Sequence, residues 1–217
     1  MSLAVVFSKL MGGMGVTVLI FLLTLLFAIP LGFPLCFARM SRDKVLSAIS
    51  GAYISVMRGT PLMLQLIVIY FLPYYGLGIN VSAKYRFVAV IIAFSLNYAA
   101  YFSEIYRSGI QSVPKGQYEA AQILGYSNLQ TFVRIILPQM TKRVLPAMTN
   151  EIITLVKDTS LSFAIATAEM FTIAKQIAAK QASIMPLMAA GLFYYVFNFI
   201  VAQVCKMVEK HYDYYRI

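Results

Sequence analysis

The sequence predicts an all-α membrane protein with five transmembrane helices. Three observations carry that reading. Of 217 residues, 60% are hydrophobic and only 12% charged, where a soluble domain carries roughly 25% charged residues. Long runs without charge cover Leu10–Ala38, Phe87–Ser103 and Gln181–Cys205, and about 20 apolar residues suffice to cross a bilayer. The formal net charge is +10, which cytoplasmic loops rich in Lys and Arg explain. No basic run reads as a nucleic-acid patch, so nucleic acid is not expected as a partner. A single membrane domain over residues 1–217 is the natural count.

The first run, Leu10–Ala38, exceeds the ~7–15-residue core of a secretory signal peptide and reads as the first membrane helix. Gly12, Gly13 and Gly15 form a small-residue patch suited to close helix packing, and Pro30 and Pro34 are tolerable in a membrane helix. A basic loop, Arg39–Lys44, leads to a weakly apolar helix over Val45–Val56. Arg58-Gly59-Thr60-Pro61 then breaks the chain. The second span, Pro61–Ile79, ends near Pro73 and the Tyr74-Tyr75 pair, at an interface that favours Tyr. The third span is built on Phe87–Ser103 and carries Ser95 and Asn97. Glu104 and Arg107 close it, three residues apart on one face, as an interfacial ion pair.

A short Ala-rich helix follows. Pro114 sits at its first turn, where a missing N–H costs nothing. Gly125 sits where a left-handed residue would stop it. Ser127, with Gln130 three residues on, opens a second helix through a capping box, and that helix runs towards Pro138. Val144–Ala168 is apolar enough to be the fourth span but contains Glu151, Lys157 and Asp158. Gln181–Cys205 is the fifth, and the charged tail holds His211, to which no role falls. Cys36 and Cys205 lack CxxC partners and read as packing residues, with no disulfide or metal site. With the loop around Glu119 inside, twelve of the 18 Lys and Arg lie on that side. The bias sets the N-terminus out and the C-terminus in.

No phosphate loop, nucleophile elbow or HExxH occurs, and the lone histidine removes most His-based catalysis. The chain is not expected to be an enzyme. A charge within a span costs roughly 2.5–3.5 kcal/mol at the bilayer centre and marks a functional candidate. Glu151 and Asp158, seven residues apart, share a helix face with Thr154 between them, and Lys157 points about a third of a turn away. This stripe is expected to line a translocation path. The plainer reading has Lys157 and Asp158 marking the outer interface, with Lys157 snorkelling. Tyr70, Tyr98 and Tyr101 are read as packing residues rather than as cation–π contacts.

Glu119-Ala120-Ala121, three residues, Gly125, nine residues and Ile135-x-Leu137-Pro138 resemble the EAA signature of ABC-importer membrane subunits. Arg58-Gly59-Thr60-Pro61, Asn150-Glu151 and Lys157-Asp158-Thr159-Ser160-Leu161 are similar to the polar amino-acid permease branch of histidine, arginine and glutamine importers. The resemblance implies a type I ABC-importer fold, with residues 114–125 as a cytoplasmic coupling helix. It implies that Gly116, Glu119, Ala120, Ala121 and Gly125 couple to an ATPase, and that ATP is bound by that partner, so the chain itself takes no cofactor. The implied partners are an ABC ATPase dimer, an extracytoplasmic amino-acid-binding protein, membrane lipid and a second copy or a paralogous permease. The implied location is the bacterial cytoplasmic (inner) membrane. For a polar amino acid, cationic ones included, Lys157 would meet the carboxylate, Glu151 and Asp158 the amine or a cationic side chain, and Asn97 and Thr154 would add hydrogen bonds. An ion-coupled secondary amino-acid transporter is the main rival. It predicts inverted repeats with broken helices in both halves, which the sequence does not show. A channel would need charged rings or a carbonyl filter, and neither is visible.

Overall fold

A computed structural model describes residues 3–212, and every regular element among them is helical. Helix α1 (Leu3–Arg39) runs unbroken through Pro30 and Pro34. It lies along α4 (Tyr85–Ser112), the most deeply buried helix. Their contact is close because Gly32 has no side chain: a Cβ there would stand 2.9 Å from the Tyr106 ring. Phe33 stacks on that ring at 4.1 Å, and Tyr106 donates to the Ile29 carbonyl at 3.2 Å. Of the three early glycines only Gly13 serves packing. Its Cβ position is 2.7 Å from Met170 Cα, whereas Gly12 and Gly15 face open space.

Asp43 caps α2 (Lys44–Gly59) by accepting from the Val45 and Leu46 N–H groups. The chain then turns by 111° into α3 (Leu62–Leu77) at the expected break. A tight cap at Gly78, φ +66°, ends α3. Helix α5 spans Lys115–Ile123, and α6 spans Asn128–Thr131. Pro114 is the residue before α5 rather than its first turn. The helix opened by Ser127 does not stop at Pro138. It passes through a π turn, Phe132–Ile136, into α7 (Leu137–Asp158). The π turn has a cause: Pro138 has no N–H to donate four residues back, and its ring crowds that carbonyl. Leu137 N–H reaches the Phe132 carbonyl five residues back instead.

A 3₁₀ stretch, Thr159–Ile165, ends at Ala166 with φ 55°. Helices α8 (Met170–Gln181) and α9 (Met185–Tyr212) complete the chain. Three helices, α1, α4 and α9, are long and apolar enough to cross a membrane, and the bent α2–α3 pair makes a fourth if counted as one span. A fifth is not confirmed by length and composition among the described residues. The expected fourth span divides between α7, the 3₁₀ stretch and the Ala166 turn, and five charges in α7 (Lys142, Arg143, Glu151, Lys157, Asp158) lower its hydropathy. Gly109 lets α7 settle on α4, since a Cβ would fall 2.2 Å from Val144 Cγ1.

Candidate functional site

A polar groove of about 400 Å³ opens between α4, α7 and the end of α2. Glu151 enters it from α7, and Tyr101, Glu104 and Arg107 from α4. Arg58 enters from the last turn of α2. Arg107 grips Glu104 with two N–H groups, at 3.0 and 2.6 Å. That is the expected one-face pair, and its partial exposure limits it to about 0.2–1 kcal/mol. Arg58 stands 3.9 Å from the same carboxylate, and its guanidinium lies 5.2 Å from the centre of the Tyr101 ring. Arg58 is side-chain exposed by 44%, so much of its hydrogen-bonding capacity faces the groove. Arg143 also lines the groove and donates to the Ser112 carbonyl, so besides the Arg107–Glu104 pair the groove brings the Glu151 carboxylate together with the guanidinium groups of Arg58 and Arg143.

The other stripe residues separate. Asp158, two turns on, accepts a 2.7 Å hydrogen bond from the Tyr98 hydroxyl. Thr154 lies half-buried between the two carboxylates. Lys157 is exposed and does not line the groove. Asn97 is buried, and its amide N–H groups are engaged by the Met57 carbonyl and Gln65 Oε1, each at 2.9 Å. Gln65 in turn donates to Met57, to the Thr60 carbonyl and to the Thr60 hydroxyl. Asn97 thus clasps the α2–α3 break beside Arg58, with its amide N–H groups taken up within the fold.

The second site is the segment around Glu119. Gly125 takes φ +78°, a left-handed stop that a side chain would strain. Ser127 accepts from Gln130 N–H while Gln130 Oε1 accepts from Ser127 N–H. These two local devices fix the angle between α5 and α6. Ala121 is fully buried, while Gly116, Glu119 and Ala120 are exposed. Ile123, Leu124 and Leu129 are also exposed, by 87%, 73% and 73%, which leaves an apolar surface without cover at this end. Gln139 on α7 bonds Gln117 on α5 at 3.3 Å, so the segment is tied to the helix that carries Glu151.

Two residues escape the sequence reading. Arg58 is legible as part of a chain break and of the Arg58-Gly59-Thr60-Pro61 resemblance, but not as a groove residue. Glu169 is fully buried as the cap of α8, where it accepts from Phe171 N–H, Thr172 N–H and the Thr172 and Tyr194 hydroxyls. Its Glu-x-x-Thr spacing is the only local sign of that role.

The family model for "Binding-protein-dependent transport system inner membrane component" matches residues 25–214. The L-cystine transport system permease protein TcyB of Bacillus subtilis (strain 168) is 36% identical over 95% of this chain and 87% of its own length. The arginine transport system permease protein ArtQ of the same strain is 37% identical, over 91% of this chain and 90% of its own. A solved structure described as an amino acid ABC transporter with histidines superposes with a TM-score of 0.84 at 29% identity, over 94% of both chains.

Proposed function

The chain belongs to the family of binding-protein-dependent transport system inner membrane components, and on that footing we propose that it is the permease subunit of an ATP-driven amino-acid importer. Its relatives are permeases of amino-acid transport systems, named for cystine and for arginine. Nothing among them favours the ion-coupled alternative. The observation that carries the reading is the meeting of Glu151 and Arg58 in one groove. An amino acid presents an anion and a cation a few ångströms apart, and these two walls complement both.

In this reading Glu151 receives the amino group, and Asp158 extends the anionic face towards a cationic side chain. Arg58 takes the carboxylate, the part the sequence reading gave to Lys157, because Arg58 lines the groove with Glu151 and Lys157 does not. Thr154, which does not line the groove itself, adds a hydroxyl further along α7. Gly116, Glu119, Ala120, Ala121 and Gly125 form the docking edge for a separate ATPase, whose closure is transmitted through α5 and α6 to α7. The exposed Ile123, Leu124 and Leu129 are the apolar part of that edge. Arg39, Arg107, Lys115 and Arg143 gather at the same end of the helices, which supports placing it in the cytoplasm, with the N-terminus outside. Two such permeases, identical or paralogous, enclose the path, and a binding protein delivers the substrate from outside.

ATPase stimulation in liposomes tests this. The chain is reconstituted with its ATPase and binding protein, and each amino acid is added in turn. Stimulation by arginine, lysine or histidine alone, lost in Glu151→Gln, supports the groove as a cation site. Stimulation by glutamine or cystine keeps the importer and overturns the cationic preference. ATPase activity that ignores every amino acid, and survives deletion of residues 119–125, overturns the reading.

A further inference from the structure

On the side of α7 away from the polar groove, α1, α7 and α9 enclose an apolar trough of about 410 Å³. Leu22, Leu25, Met148, Phe197 and Val204 are among its walls. Leu145 belongs both to the trough and to a neighbouring depression formed by Lys142, Pro146, Lys206, Glu209 and Lys210. The trough therefore runs into a cationic mouth. The mouth lies at the α5 end of the molecule, since Gln139, one turn before Lys142, bonds Gln117 on α5. Glu209 is already engaged by the Thr149 hydroxyl across the α7–α9 contact. Lys206 and Lys210 are exposed, one turn apart on one face of α9, and neither has an ion-pair partner among the described residues.

We propose that trough and mouth together hold one anionic phospholipid, its acyl chain along α1 and α9 and its phosphate at Lys206 and Lys210. The division of chemistry is that of a lipid: the walls are almost wholly aliphatic and aromatic, and the charge is confined to one end. The lysine stems lie along apolar surface while their ammonium groups stay at headgroup depth. Basic pockets between helices on the cytoplasmic side select anionic headgroups. A zwitterionic headgroup would bring its own cation to the mouth and gain less. The site is independent of the amino acid carried.

The chain contains no Trp, so Phe197→Trp places a single reporter in the trough. The full-length variant is reconstituted in vesicles of phosphatidylcholine containing a minor fraction of dibrominated phosphatidylglycerol or of dibrominated phosphatidylcholine. Quenching by the brominated anionic lipid is expected to report roughly tenfold stronger association than quenching by the zwitterionic one. Lys206→Gln with Lys210→Gln should erase that preference and leave quenching by brominated phosphatidylcholine unchanged, which shows that the trough is still formed. Equal quenching by the two lipids in the parent variant overturns the proposal. A preference that survives the double substitution overturns it too, as does absence of quenching by either lipid, the sign of a protein-covered face. Displacement of the brominated anionic lipid by soluble glycerol phosphate would make the mouth a free-anion site and overturn the lipid as well.

Discussion

Two carboxylates within the helical body, Glu169 and Glu151, meet different surroundings. Glu169 has no exposed surface and accepts from four donors, two of them backbone N–H groups of its own helix. Its charge is consumed by the start of α8, and Tyr194 ties that start to α9. Glu151 sits two turns past the Val144–Gly109 contact and lines a groove that Arg58 also lines. A carboxylate inside a membrane protein is thus not a functional site by its charge alone. What separates the two is whether local donors have exhausted its capacity. Asp158 stands between them, with one tyrosine donor among the described residues.

Substitutions that treat the two alike would break or sharpen this contrast. Glu169→Ala has the largest expected effect, because it orphans buried donors: about 3 kcal/mol of stability is lost. Thermal unfolding of the detergent-purified protein should show a clear fall in Tm, and an unchanged Tm would place Glu169 with the functional carboxylates. Glu151→Gln should leave the Tm in place and lower amino-acid-stimulated ATPase activity about tenfold, some 1.4 kcal/mol. A variant that unfolds early instead would show Glu151 to be structural. Tyr194→Phe removes one of the four donors to Glu169 and should cost about 1 kcal/mol in unfolding, with stimulation per folded complex unaltered. Tyr98→Phe frees Asp158 from its donor. The expected change is small, about 0.5 kcal/mol, and appears as a shifted KM for substrate rather than as a shifted Tm.

How far the chain could be read without coordinates follows the range of the interactions. Gly125 and the Ser127–Gln130 box are local, decided within four residues, and the structure has them as the spacing predicts. The break at Arg58-Gly59-Thr60-Pro61 is equally local. Its consequence is not: the clasp of Asn97 on Met57 and Gln65 joins residues 40 and 32 positions apart, so Asn97 read as a free polar group in a span. Glu169 is only partly legible: its three donors from Phe171 and Thr172 are local, while the fourth, Tyr194, comes from another helix. The three glycines of α1 look alike in sequence, and only the neighbour at Met170 distinguishes Gly13. Spans are hardest to count in α7, where hydropathy averages over a helix that is charged along one side and buried along another. The family signature, by contrast, rests on residue identity and spacing, and 190 residues of family match agree with it.

The π turn at Phe132–Ile136 turns a spacing into an angle. From Asn128 to Asp158 the backbone is one continuous helical rod, about 45 Å long. The wider turn sets the rotational phase between the rod's two ends. Deleting one residue ahead of Pro138 would rotate everything beyond it by about 100° and swing Glu151 away from Arg58, with every side chain still present. The nine residues between Gly125 and Ile135 therefore act as a phase setting between the α5–α6 segment and the groove, and a change in their number would misalign the two without altering the chemistry of either.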